Sequence, residues 1–282
     1  MDVHLEVGAD LAFTLRDVPG ELADAVRSYC AHYLRDQPAA GAVLIRGGLA
    51  PPGRTGSGEP VLDEPPLVIR RAAGCLLFEL PGLRAWCDAA VGQAGLVVEG
   101  ADPFVLTVFA TRAVPLLLFE LGLSRGWVGL HAAAVSPRGG AVLLPGVGGS
   151  GKTTIFRAAA AAGLGVLSDD LVWLREGDAG FRVVAFPRGW PAEPVPAPTV
   201  DDAPLAAIVC PTIVGEGPSR LVPIPPTEVV RELVTQTSFL DRGPQAGERF
   251  RRLVRAATAV PGFRLEAGPA GDAVAVLAAL RV

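Results

Sequence analysis

Short apolar runs separated by polar and turn-forming residues fill most of residues 1–125. Runs of this length are typical of strands when Gly or Pro bounds them, whereas longer apolar stretches favour helices. The pattern predicts strands at Ala42–Arg46, Pro66–Arg70 and Cys75–Leu80, helices at Leu83–Ala94 and Pro103–Gly122, and a loop at Pro51–Pro60. Residues 1–125 are therefore predicted to form an N-terminal α+β accessory region.

A strand, a glycine-rich loop, a helix and another strand follow one another in the second half of the chain. The pattern predicts strands at Trp127–Ser136 and Ala141–Pro145, the loop Gly146–Gly151, a helix at Lys152–Ala162 and a strand at Leu164–Ser168. A strand–helix–strand unit of this kind is the crossover unit of α/β folds. Residues 126–282 are therefore predicted to form an α/β domain.

Further apolar runs extend this domain towards the C-terminus. They predict strands at Leu171–Leu174, Phe181–Phe186, Leu205–Cys210 and Phe263–Glu266, helices at Pro226–Leu233, Gly247–Ala257 and Asp272–Leu280, and an exposed loop at Arg188–Pro198. In the helix over 247–257, the spacing of Phe250, Leu253, Val254 and Ala257 predicts a face towards the core, with the arginines of this helix outside.

Composition and charge narrow the class of protein. Of the 282 residues, 50% are hydrophobic and 19% are charged, which is the reverse of the balance found in disordered chains. A net charge of −4 offers no basic surface for nucleic acid. The four cysteines form no C-x-x-C pair, which favours packed, reduced thiols in a cytoplasmic protein over a zinc site.

One apolar stretch, Pro103–Leu123, has the length of a membrane span. Arg112 lies near its centre, where a charge is costly in a bilayer. The N-terminus also shows no charged segment followed by an apolar one, as a secretion signal would have. We therefore expect a buried helix here, and no membrane partner.

The segment Gly146–Thr153 fits G-x-x-x-x-G-K-[ST], the Walker A pattern. In this pattern glycines let backbone N–H groups curl around phosphate oxygens, and the following helix points the positive end of its dipole at them. The Lys152 ammonium is expected to reach the β- and γ-phosphates, and the Thr153 hydroxyl to ligate Mg²⁺. The predicted nucleotide-binding residues are Gly146, Val147, Gly148, Gly149, Ser150, Gly151, Lys152, Thr153 and Thr154.

Lys152 is the one lysine among 25 basic side chains. An ammonium is a compact point charge, whereas the guanidinium of arginine is a planar fork, so the two are not interchangeable on a phosphate. A lysine retained at this position in a chain that otherwise uses arginine supports the phosphate-binding interpretation.

Two adjacent carboxylates, Asp169 and Asp170, follow the strand Leu164–Ser168. Ligands of α/β sheets bind beyond the carboxyl ends of the strands, so this pair is expected beside the glycine-rich loop. There it would serve as an acid/base and metal-binding pair. His131 lies in the strand Trp127–Ser136, and the sequence leaves it open whether it is a core histidine or part of the site.

These residues together resemble the HPr kinase/phosphorylase family and its shorter relatives, and they are similar to the nucleotide core of ATP-dependent phosphoenolpyruvate carboxykinase. The resemblance rests on L-H-A-A-A-V at Leu130–Val135, G-V-G-G-S-G-K-T-T at Gly146–Thr154 and L-S-D-D at Leu167–Asp170. It implies an α/β nucleotide-binding core of that type, ATP and Mg²⁺ as cofactors, and phosphoryl transfer to a serine hydroxyl.

The resemblance also implies roles for individual residues. It makes Asp170 the general base towards the acceptor hydroxyl, and it places Asp169 near Mg²⁺ together with Thr153. It makes His131 the histidine beside the transferred phosphate, and Glu193 the nearest match to a second metal carboxylate. Because members of the family often form hexamers, a homo-oligomer is an expectation as well.

The chain departs from HPr kinase proper after the core. The family has a Glu-Ile-Arg-Gly stretch there, whereas this chain reads F-P-R-G-W-P-A-E-P at Phe186–Pro194. In this respect it is more similar to stand-alone kinases of ribosomal-peptide and lasso-peptide maturation, which phosphorylate a serine of a precursor peptide. Two other functions stay open: a nucleotide-binding regulatory module without transfer, and a kinase for a small metabolite.

Overall fold

The computed structural model describes residues 1–8, 11–51, 58–72, 74–123, 125–186, 199–215, 217–237 and 246–281. They form two compact units, of which the first comprises Met1–Gly126 and the second holds nearly all described residues from Trp127 onward. Each unit is built on its own β-sheet. The predicted loop Arg188–Pro198, with Glu193, lies outside the described residues.

Among the described residues, the sheet of the first unit has nine strands: β1 (Val3–Gly8), β2 (Leu11–Arg16), β3 (Leu34–Arg35), β4 (Val43–Gly47), β5 (Glu59–Glu64), β6 (Leu67–Ala72), β7 (Cys75–Leu80), β8 (Leu83–Asp88) and β9 (Gln93–Val98). Their order across the sheet is β3-β1-β2-β4-β9-β8-β7-β6-β5. The predicted strands at Ala42–Arg46, Pro66–Arg70 and Cys75–Leu80 are confirmed to within two residues, and β5 begins inside the predicted loop Pro51–Pro60.

The predicted helix at Leu83–Ala94 is wrong, because this segment is the hairpin of β8 and β9. The two strands pair antiparallel from Leu83 opposite Val98 to Asp88 opposite Gln93. The Asp88 carboxylate accepts hydrogen bonds from the backbone of the turn, and Gly92 has a φ of 64°, which ends β8 and reverses the chain. Strand β8 buries Leu83, Ala85 and Cys87 at a period of two and also buries Trp86 on its other face.

The helices of the first unit are α1 (Gly20–Tyr29), α2 (Pro103–Val108) and α3 (Val114–Leu123). A π-helical turn at Phe109–Ala113 joins α2 to α3, so the predicted helix over Pro103–Gly122 is confirmed. This segment is long and apolar enough to cross a membrane, but 72% of its apolar window is buried inside the protein, as in a core helix. Arg112 pairs with Glu64 at the surface.

In the part of the second unit that the structure describes there are eight strands: β10 (Trp127–Ser136), β11 (Ala141–Pro145), β12 (Gly165–Ser168), β13 (Leu171–Gly177), β14 (Gly180–Ala185), β15 (Asp202–Ile213), β16 (Arg220–Pro223) and β17 (Gly262–Ala267). Its helices are α4 (Lys152–Ala161), α5 (Pro226–Thr235), α6 (Ala246–Ala259) and α7 (Ala270–Ala279). Large sheets combined with helices place the protein in the mixed α/β class, as predicted.

The directions of the strands determine where the site lies. Strand β11 is parallel to β15, and β15 is parallel to β17. Strand β12 pairs antiparallel with β10, as β11 does, so β11 and β12 run in the same direction with β10 between them. The carboxyl ends of β11, β12 and β15 therefore lie at one edge of the sheet. Helices α4 and α7 cover the adjoining core with side chains such as Phe156 and Leu277.

The face that helix α6 buries differs from the prediction. The helix buries Arg249, Leu253, Ala256 and Ala257, while Phe250 is exposed. Three other arginines of the helix form ion pairs: Arg251, Arg252 and Arg255 contact Glu248, and Arg255 also contacts Glu176 of β13. The buried stripe thus runs from Arg249 through Leu253 to Ala257, and Phe250 lies outside it.

Candidate functional site

The loop between β11 and α4 has a backbone that depends on glycine at three points, one of which is Gly149 with a φ of 80°. Gly151, the N-cap residue of α4, has a φ of 94°, in the left-handed region that favours glycine. At Gly146, a Cβ atom would lie 2.6 Å from Ser150 Oγ. Strand, glycine-rich loop and helix therefore follow one another where the sequence predicts them, and the N-terminus of α4 faces into the loop.

Lys152 is the first residue of α4 and is only 6% exposed. Its Nζ donates to the carbonyl oxygens of Gly146 and Val147, the second at 3.2 Å. Burial lowers the pKa of Lys152, and the nearby Asp170 carboxylate opposes this by raising it. The ammonium is therefore held inside the loop by carbonyl oxygens and a carboxylate.

Asp170 and His131 face each other on adjacent elements. Asp170 follows β12, and the next residue, Leu171, pairs with His131 across β13 and β10. His131 Nε2 lies 3.0 Å from Asp170 Oδ1. Both side chains are partly exposed, His131 by 37% and Asp170 by 50%. The structure thus brings together two residues that stand 39 positions apart in the chain, since 170 − 131 = 39.

Gln236 is a residue of this region that sequence reasoning missed. It follows α5, is 3% exposed, and its carbonyl oxygen accepts from the His131 N–H at 2.8 Å. Its side-chain amide also reaches the imidazole of His131 and the carbonyl of Gly146. A glutamine at the end of a helix carries no pattern of its own, so the sequence offered no signal for this role.

A cavity of about 330 Å³ lies between the glycine-rich loop and the pair of Asp170 and His131. It is lined by His131, Gly148, Gly149, Ser150, Gly151, Lys152, Thr153, Thr154, Asp169, Asp170 and Ile213. Ile213 was also missed by the sequence analysis. It ends β15, which runs parallel to β11, and its side chain lies against Gly151 and is 58% exposed.

The structure describes two of the three predicted metal ligands. Thr153 and Asp169 line the cavity, whereas Glu193 falls outside the described residues. Within the described ranges, no group of three or more His, Cys, Asp or Glu side chains could hold a metal ion. The available hydroxyl and carboxylate oxygens are ligands that suit Mg²⁺, which proteins commonly bind through one or two carboxylates together with substrate phosphates.

Comparison with known proteins finds only a distant likeness. The sequence matches no protein-family model and no curated protein. Among solved structures, the Hpr(Ser) kinase/phosphatase from Coxiella burnetii is similar to 53% of this chain and is covered over 86% of its own length, with a TM-score of 0.33 and 11% identity.

Proposed function

We propose that the protein is a kinase that transfers the γ-phosphoryl group of ATP to a hydroxyl group, with a serine of a peptide or protein as the acceptor. One observation carries this proposal. The glycine-rich loop, Lys152 and the paired side chains of Asp170 and His131 line the same cavity. Phosphate-binding groups and a carboxylate able to accept a proton are the parts that phosphoryl transfer needs side by side.

The loop offers donors that fit a triphosphate. Ser150 Oγ is buried and has no hydrogen-bond partner within the protein, so this hydroxyl is available to a phosphate oxygen. A Cβ atom at Gly148 or Gly149 would meet nothing within 4 Å, which leaves the front of the loop open. The N-terminus of α4 adds its dipole, and Lys152 would exchange its loop carbonyls for phosphate oxygens.

Mg²⁺ bound with the nucleotide would neutralise charge on the β- and γ-phosphates. In the proposed arrangement, the Thr153 hydroxyl and the Asp169 carboxylate hold it from the protein side. Both residues line the cavity and both present oxygen. Because the protein supplies few ligands among its described residues, most of the remaining coordination is expected to come from phosphate oxygens and water.

Asp170 is the proposed general base. Its Oδ1 faces His131 Nε2, which orients the carboxylate and leaves Oδ2 for the acceptor hydroxyl. The acceptor oxygen forms a bond to the γ-phosphorus while the bond to the β–γ bridging oxygen breaks. The hydroxyl proton moves to Asp170, and ADP leaves. During this transfer, the Lys152 ammonium stabilises the negative charge on the phosphoryl group.

The nature of the acceptor is supported by the accessibility of the base. Asp170 is half exposed and His131 more than a third, so a serine carried on a large molecule can approach them. The family resemblance of the sequence favours a peptide or protein acceptor for the same step. A small-metabolite kinase would use the same base, and a regulatory module would bind ATP without turnover.

An acceptor screen tests the proposal. The protein is incubated with Mg²⁺ and ATP, together with serine-containing peptides encoded beside its gene, a serine-to-alanine copy of each peptide, or free serine. Mass spectrometry should show the mass of one phosphate on a serine peptide and none on its alanine copy. Phosphorylation of free serine alone would indicate a metabolite kinase. ATP bound but unchanged with every acceptor would contradict the transfer and favour the regulatory module.

A further inference from the structure

The side-chain amide of Gln236 satisfies its neighbours in only one orientation. In this orientation the Thr235 hydroxyl turns from the Glu232 carbonyl, to which it otherwise donates, and donates to Oε1 at 3.0 Å. Nε2 then lies 2.9 Å from the Gly146 carbonyl oxygen, 3.1 Å from His131 Nδ1 and 3.2 Å from the His131 carbonyl oxygen. All three are acceptors in this arrangement. The reverse orientation would point Oε1 at two carbonyl oxygens, which is unfavourable at a residue that is 3% exposed.

This orientation determines where His131 carries its proton. Because Gln236 Nε2 donates to Nδ1, Nδ1 is the acceptor and the ring proton resides on Nε2. That proton points at Asp170 Oδ1, 3.0 Å away. A chain of hydrogen bonds therefore runs from the buried amide of Gln236 through the imidazole to the proposed base.

The same amide also acts on the glycine-rich loop. The Gly146 carbonyl accepts from both Lys152 Nζ and Gln236 Nε2. When Lys152 moves to a phosphate, Gln236 remains as a partner of this buried carbonyl. The loop therefore releases the ammonium without leaving the Gly146 oxygen unsatisfied, which would otherwise cost free energy.

We propose that Gln236 is a positioning residue that couples nucleotide binding to the base. Its side-chain amide holds His131 in the tautomer that orients Asp170, and it stays on the Gly146 carbonyl when Lys152 leaves. The catalytic consequence rests on the proposed kinase function. The hydrogen-bond relay itself does not, because it is a property of the protein without ATP.

Nitrogen NMR of the intact protein tests the relay directly. The chain has three histidines, so ¹⁵N-histidine labelling gives few signals, and a His131→Gln variant assigns the one required. In the protein without ATP, we expect the signals of an unprotonated, hydrogen-bonded Nδ1 and a protonated Nε2. A proton on Nδ1 of the neutral ring would overturn the proposal, whether or not any acceptor is phosphorylated.

A matched pair of variants tests the coupling. Gln236→Met keeps the length of the side chain but removes both donors, whereas Thr237→Ala changes a neighbour whose hydroxyl donates to the Val234 carbonyl. Gln236→Met should displace the Nδ1 signal towards that of a free lone pair, lower kcat about tenfold and raise the KM for ATP. Thr237→Ala should leave the Nδ1 signal, kcat and the KM for ATP unchanged.

The outcomes separate the relay from the kinase function. An unchanged Nδ1 signal and unchanged kcat in folded Gln236→Met would overturn the positioning role, and thermal unfolding verifies that the variant is folded. If Gln236→Met does not fold, the spectrum of the wild-type protein still decides the relay. If the expected NMR signals appear but no acceptor is phosphorylated, the relay stands and the kinase function fails.

Discussion

His131 Nε2 and Asp170 Oδ1 lie 3.0 Å apart, although one residue belongs to β10 and the other follows β12. Two pairings bring them together. Strand β12 pairs with β10 at Ser168, and β13 pairs with β10 at Leu171, which is opposite His131. Asp170 stands at the transition between these two pairings, where the chain leaves one strand and enters the next. The carboxylate is thus held at the strand edge beside the glycine-rich loop.

Asp170→Asn should abolish transfer and preserve nucleotide binding. The amide keeps the shape of the carboxylate but cannot take up the hydroxyl proton, so kcat should fall about a hundredfold to ten-thousandfold. Phosphotransfer assays and calorimetric titration with ADP measure the two quantities. Asp178→Asn, in the exposed turn between β13 and β14, is the matched control and should retain the wild-type rate. Normal transfer by Asp170→Asn would show that another group is the base.

The glycine-rich loop is the part of the site that the sequence predicted most fully. Gly151 needs a left-handed backbone, Gly146 leaves no room for a Cβ atom beside Ser150, and Lys152 begins the helix. These requirements act between neighbouring residues, so they appear as a fixed spacing in the sequence. Pairing across strands leaves no such spacing, which is why the sequence left His131 open and gave no sign of Gln236.

The first unit was predicted less fully for a related reason. Strand β1 alternates buried Val3, Leu5 and Val7 with more exposed residues, yet six residues of alternation give only a weak signal. From Leu83 onward, apolar residues recur both at the spacing of a helix face and at the spacing of a strand face. Its conformation is decided by the turn at Asp88 and by pairing with Gln93–Val98, which is tertiary information.

Lys152→Met should weaken ATP binding and change how stability depends on pH. The pKa of Lys152 is lowered in the folded protein, so between that value and the ordinary lysine value of about 10.4 the unfolded chain binds more protons than the folded one. The free energy of unfolding of the wild type should therefore rise with pH in this window. Lys152→Met lacks this contribution. Urea unfolding of both proteins across the window measures the difference.

Two results would contradict this view of Lys152. One is a difference in the free energy of unfolding, wild type minus Lys152→Met, that does not increase as the pH rises through this window. The other is ATP binding by Lys152→Arg with wild-type affinity, because a planar guanidinium should not replace a buried ammonium that donates to the Gly146 and Val147 carbonyls.

The ion pair between Glu176 and Arg255 should stabilise the second unit in a pH-dependent manner. Arg255 donates to both carboxylate oxygens, at 2.8 and 2.6 Å, and this lowers the pKa of Glu176. A carboxyl with a lowered pKa contributes stability above its ordinary pKa and loses it as the pH falls through the lowered value. Glu176→Gln should therefore unfold at a lower temperature than the wild type at pH 7.

The same melting experiment at acidic pH provides the control. The difference in melting temperature between wild type and Glu176→Gln should close as the wild-type carboxyl becomes protonated, and it should shrink with added salt because the pair is partly exposed. Asp178→Asn again serves as the matched variant, since no change is expected at either pH. A difference that persists in acid would mean that Glu176 acts through packing and not through its charge.

The four cysteines should resist modification until the protein unfolds. All four are buried, and burial raises the pKa of Cys30 and of Cys210 to about 12. Because the thiolate is the reactive form, alkylation of these two thiols at pH 8 should be about a thousandfold slower than that of a free cysteine. Timed labelling with iodoacetamide and mass spectrometry, with and without denaturant, measures the rates. Labelling of Cys30 or Cys210 at the free rate in native buffer would show that the strand or helix end that covers it opens readily.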